Sequence, residues 1–144
     1  MNRSRIARLA VAPLVAAQLL ACSPRAEQPP QAPKEEQVIK RAQLEEMFAG
    51  MRAKAPWNVD GPLLWGYFFN GQDRSSLERV AEAVKSDGYR VVALEQREGL
   101  WRLHVEKVET HSVDSLERRN GNFYALAHKV GGVIYDGMDV GPAS

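Results

Sequence analysis

The sequence predicts an α+β fold, a two-layer sandwich with the order β-α-β-β-α-β. Three observations lead there. Between residues 61 and 140, apolar and aromatic runs of strand length alternate with amphipathic stretches of helical period. Glycine-containing pairs punctuate the boundaries between them. Each helical stretch also carries one apolar stripe, and laying both stripes on one face of a four-stranded antiparallel sheet buries them together. That arrangement is the ferredoxin-like sandwich, here preceded by a leader, a Pro-rich tether and one extra helix.

The leader comes first. Arg3, Arg5 and Arg8 precede an apolar stretch from Leu9 to Ala21, and the first acid is Glu27. The order of a basic region and a short apolar region is that of a secretory signal, and the stretch is too short to span a bilayer comfortably. It ends Leu19-Leu20-Ala21-Cys22, which resembles the lipobox of bacterial lipoproteins. The resemblance implies a signal peptide over 1–21, cleavage before Cys22, and acylation of the only cysteine in the chain. Each buried methylene contributes roughly 0.8 kcal/mol, so two or three acyl chains hold a protein on a membrane. Ser23 stands where an inner-membrane retention Asp would be, so the expected location is the periplasmic side of the outer membrane. Residues 22–36 form the lipidated tether, with four of the eight prolines and no large apolar side chain. Such a segment is expected to be disordered. Removing residues 1–21 leaves 123 residues with net charge −2, which gives no electrostatic reason to bind nucleic acid.

From Gln37 to about Lys54, Leu44, Met47, Phe48 and Met51 recur at helical spacing, and Ala55-Pro56 stops the pattern. This amphipathic helix, 37–56, is expected to dock on its own domain, with a partner-binding or dimerising role as the alternative. Leu63 to Phe69 is a strand between Gly61-Pro62 and Asn70-Gly71. Ser75-Ser76-Leu77-Glu78 offers a capping box for a helix carrying Leu77, Val80, Ala81 and Val84, and Gly88 ends it. Tyr89–Gln96 and Trp101–Val108 are strands joined through Arg97-Glu98-Gly99. A second helix runs from about Val113 to Val130, weakened at Gly121 by roughly 1 kcal/mol and ended by Gly131-Gly132. Val133-Ile134-Tyr135 makes a short last strand before Asp136-Gly137.

With these elements in place, residues 61–140 resemble the family of the bacterial regulator of ribonuclease E activity B. The resemblance lies in the aromatic first strand Trp65–Phe69, a helix ending Asp87-Gly88-Tyr89, and the closing run Gly131-Gly132-Val133-Ile134-Tyr135-Asp136-Gly137. Met138 replaces the Trp that follows in the family, and Asp139 supplies its acid. The resemblance implies the same sandwich and a non-catalytic, protein-binding module. The best-known member inhibits ribonuclease E by binding that enzyme, which works in the cytoplasm. Export would separate the two, so the expected role is a membrane-anchored lipoprotein that binds and modulates another protein. The alternatives are a cytoplasmic inhibitor of ribonuclease E, a periplasmic immunity-type protein neutralising a toxin, and an enzyme acting on envelope material.

No catalytic constellation, metal site or cofactor site is expected. His104, His111 and His128 lack metal-ligand spacing and read as unrelated surface histidines. Ser75, Ser76, Ser112 and Ser115 read as helix caps, and Asp114 and Glu117 as acids favouring a helix N-terminus. RNA-binding sandwiches stack bases on aromatics of the middle strands. Here the third strand lacks the Gly-aromatic pattern, and Tyr67, Phe68 and Phe69 read as core, so nucleic acid is excluded.

One pattern favours binding. The first strand is apolar on both faces, with Leu64 and Phe68 alternating against Leu63, Trp65, Tyr67 and Phe69. In the next strand Val92 and Leu94 oppose Tyr89, Val91 and Ala93. The second sheet face therefore needs cover from the 37–54 helix, a protein partner, or a second copy in a homodimer. Candidate partner-binding residues are Trp65 and Tyr67 on the first strand, with Tyr135, Asp136, Gly137 and Met138 in the closing run. Asp136-Gly137 reads either as a tight turn or as an exposed recognition loop.

Overall fold

A computed structural model describes residues 36–143. The signal peptide, Cys22 and the tether up to residue 35 lie outside the described residues. The elements are α1 (Arg41–Lys54), β1 (Leu63–Gly71), α2 (Arg74–Ser86), β2 (Arg90–Arg97), β3 (Leu100–Glu109), α3 (Val113–Val130) and β4 (Val133–Pro142). The strands form one sheet in the order β2-β3-β1-β4, and every neighbouring pair is antiparallel. Three helices and a four-stranded antiparallel sheet make an α+β domain consistent with the ferredoxin-like sandwich.

Local chemistry fixes the ends. The β2–β3 hairpin turns through Glu98 and Gly99, whose φ values of 51° and 81° are those of a two-residue primed turn. Helix α3 starts at Ser112, whose side chain accepts from Ser115 N, and ends at Gly131 with φ of 77°. Helix α2 departs from expectation. Its N-cap is Asp73, which accepts from the Ser76 amide and from the Ser75 and Ser76 hydroxyls, while Glu78 pairs with Arg74. Helix α1 begins at Arg41 rather than Gln37. Gln43 Oε1 accepts from the Lys40 amide, and the preceding run Glu36–Lys40 is tied across to α3 instead.

Two bulges correct the strand readings. In β2 the pairing with β3 shifts between Val91 and Ala93, which moves the alternation by one residue. Leu94 therefore opposes Leu103 on the helix side, while Ala93 opposes His104 on the other side. In β4 the shift falls opposite Phe68 and absorbs Asp136 and Gly137, with Gly137 at φ of 97°. The expected tight turn is thus a bulge, and β4 continues past it for ten residues in all.

All three helices lie on one side of the sheet. Leu63, Trp65, Tyr67 and Phe69 of β1 point into that layer and are buried. Phe123 of α3 sits among Tyr67, Phe69, Tyr89 and Tyr135 at centroid distances of 4.9 to 5.5 Å, mostly edge to face. Helix α1 packs beside α3, burying Leu44 and Phe48, with Phe48 6.1 Å from Trp65. Arg41 bridges from α1 to Asp114 and Glu117 of α3 at 2.6 and 2.8 Å. Those two acids, expected only to favour the α3 N-terminus, also fasten α1. The opposite face of the sheet is not covered by α1. No helix among the described residues is long and apolar enough to cross a membrane.

Candidate functional site

The uncovered sheet face is a mixed platform on the two central strands. Phe68 of β1 stacks on His104 of β3 at 4.5 Å, and the Arg102 guanidinium lies 4.4 Å above the Phe68 ring. Around this stack, Arg90 pairs with Glu106, and Asn70 donates to Asp136 at 2.8 Å. Gly66 leaves a hollow at the centre, into which Asp139 and His104 lean. A methyl group there would collide with Asp139 Oδ1 and lie 2.8 Å from His104 Nε2. Burial pushes the His104 imidazole below its ordinary value, against the opposing pull of Asp139. Val92 and Val108 stand out of the sheet. This face can hold a flat, amphipathic surface.

On the other side, at the far end of β3, lies a buried polar cluster that the sequence reading missed. Glu109 accepts from Tyr67 Oη at 3.0 Å, from Arg119 Nη2 at 2.7 Å and from His111 Nε2 at 3.1 Å, with Tyr89 Oη at 3.3 Å. Burial alone would raise this carboxyl. The His111 hydrogen bond, the Arg119 charge and the Tyr67 hydroxyl outweigh it and bring the group down to about 2. Burial, reinforced by Glu109, raises both tyrosines above their ordinary value, so they act as neutral donors. His111 Nδ1 lies 3.0 Å from Ser115 Oγ, beside an open depression of about 600 Å³ that Arg118 and Asn122 also line. Two strands, two loops and α3 meet at this one carboxylate. His111 is therefore a buried structural residue, not the surface histidine expected; His128 is exposed, and His104 is half-buried. The signal was present in the alternation, because Glu109 is in phase with Leu103 and Val105 on the core side of β3. Among the described residues no group of three or more His, Cys, Asp or Glu is placed to hold a metal ion.

The six expected partner contacts divide. Trp65, Tyr67 and Tyr135 are 0, 0 and 1% exposed and belong to the core under the helices. Tyr135 donates to Asn120 Oδ1 at 2.8 Å, a buried pairing that sequence reasoning also missed. Asp136 is exposed, and Gly137 and Met138 are half-buried, all at the bulge of the edge strand β4.

The family model of the regulator of ribonuclease activity B matches residues 41–140. The chain belongs to this family, RraB. The match begins at the first residue of α1 and runs into β4. RraB proteins are non-catalytic regulators, and this domain is an RraB-like protein-binding domain. No curated protein matches the chain.

Proposed function

We propose that this chain is a lipoprotein, anchored through acylated Cys22 to the periplasmic side of the outer membrane, whose RraB domain binds and modulates a partner protein. The observation that carries the binding role is the family match over residues 41–140. The anchoring rests on the sequence order of Arg3, Arg5 and Arg8, an apolar stretch, and Leu19-Leu20-Ala21-Cys22. Asp136, Gly137 and Met138 are the proposed partner contacts, since an edge-strand bulge presents side chains and unpaired backbone together.

Fractionating cells that express the full chain or its Cys22→Ala variant tests the anchoring. The wild type is expected with outer membranes and the variant is expected to be released from them. A second reading, inhibition of ribonuclease E in the cytoplasm, is favoured by the family match alone. A cytosolic wild-type chain that slows RNA cleavage by purified ribonuclease E would replace the first reading with the second. Asp136→Arg is expected to lower capture of the partner at least tenfold, while Asp136→Asn, which keeps an acceptor for Asn70, is expected to leave the urea midpoint near that of the wild type.

A further inference from the structure

The sheet face that α1 leaves open is arranged to match itself. Its residues fall in rows across the four strands, fixed by the pairing register. One row reads Arg90, Glu106, Gly66, Asp139 from β2 to β4. The row on one side reads Val108, Leu64, Gly141, and that on the other reads Ala93, His104, Phe68. We infer that this face closes on a second copy of the chain, about a two-fold axis running along the strands between β3 and β1.

That axis reverses each row onto itself. Arg90 of one copy then lies over Asp139 of the other, at both ends of the row. Glu106, which holds Arg90 within its own chain, lies over Gly66, where Asp139 and His104 already occupy the space. Val108, 52% exposed, lies over the half-buried Leu64, and His104 lies over Phe68. Val92, 43% exposed, projects from the bulge beside the same stack and is covered as well. Glu95 stays at the rim with Arg97 of its own chain, 2.6 Å away. An isologous contact requires one patch complementary to itself, and Arg90 on the β2 edge set against Asp139 on the β4 edge meets that requirement. Packed sheets keep their strands within about 30° of one another, as this axis demands. Four strands about 4.8 Å apart and roughly 30 Å long offer roughly 1,100 Å² from the two copies, at the small end of specific interfaces. The dimer is therefore weak and salt-sensitive. The inference does not rest on the partner proposed above, although Asp136 of that contact borders this face through Asn70.

The test uses the full chain carrying Cys22→Ala. Charge exchange tests the pairing directly. Arg90→Glu and Asp139→Arg are each expected to weaken self-association in sedimentation at least tenfold, and the combined variant to recover to within about threefold of wild type. Single variants that still associate like wild type, or a wild type monomeric at its highest soluble concentration, overturn it equally.

Discussion

Glu109 shows how much one side chain can organise at the residue scale. Its carboxylate joins β1, β3 and α3 through Tyr67, His111 and Arg119, and its side chain is only 10% exposed. Glu109→Gln keeps the volume but removes the charge, leaving the Arg119 guanidinium without its counter-ion. Breaking such a pair is expected to cost about 3 kcal/mol, measured by urea unfolding at neutral pH. The pH dependence follows from the same site. The folded carboxyl is lowered from 4.5 to about 2, so its contribution is complete above the unfolded value and is lost as pH falls from about 4.5 to about 2. Wild-type stability should decline across that window more steeply than that of Glu109→Gln. A variant with an equal slope would show that the carboxylate is not the titrating group.

At the scale of elements, the sequence was most legible where short-range chemistry decides. Helix α3 spans Val113–Val130 as read, because Ser112 caps one end and Gly131 the other. The β2–β3 hairpin follows from Glu98-Gly99 in the same way. Legibility failed where a distant partner decides. Asp136-Gly137 has the composition of a turn, yet β1 alongside keeps the chain extended and turns the pair into a bulge. Asn120 is polar, yet it follows Leu116 and precedes Phe123 on the core stripe, where Tyr135 satisfies it. The partner-contact reading of Trp65, Tyr67 and Tyr135 rests on a first strand apolar on both faces and on the closing run, and neither tells the helix side of a strand from the open side. Two substitutions test these elements. Gly137→Val forces a branched residue to φ of 97° and is expected to cost about 2 kcal/mol in thermal or urea unfolding. Phe48→Ala empties a fully buried site between α1 and Trp65 and is expected to cost about 3–4 kcal/mol.

The whole molecule is asymmetric: one side of its sheet carries all three helices, and the other carries the Arg102–Phe68–His104 stack. Helix α1 is an integral part of the first side. Deleting residues 36–54 uncovers Trp65 and is expected to abolish the cooperative urea transition, read by tryptophan fluorescence. The route by which the chain reaches α1 has a mechanical consequence. Glu36 meets His128 at 2.5 Å, Tyr124 Oη accepts from the Ile39 amide at 2.9 Å, and that hydroxyl donates to the Gln37 carbonyl at 3.1 Å. A pull arriving through Glu36 therefore loads α3 before it loads α1. The first links to part under such a pull are the few contacts of this short splice, so it would yield before the folded body behind it.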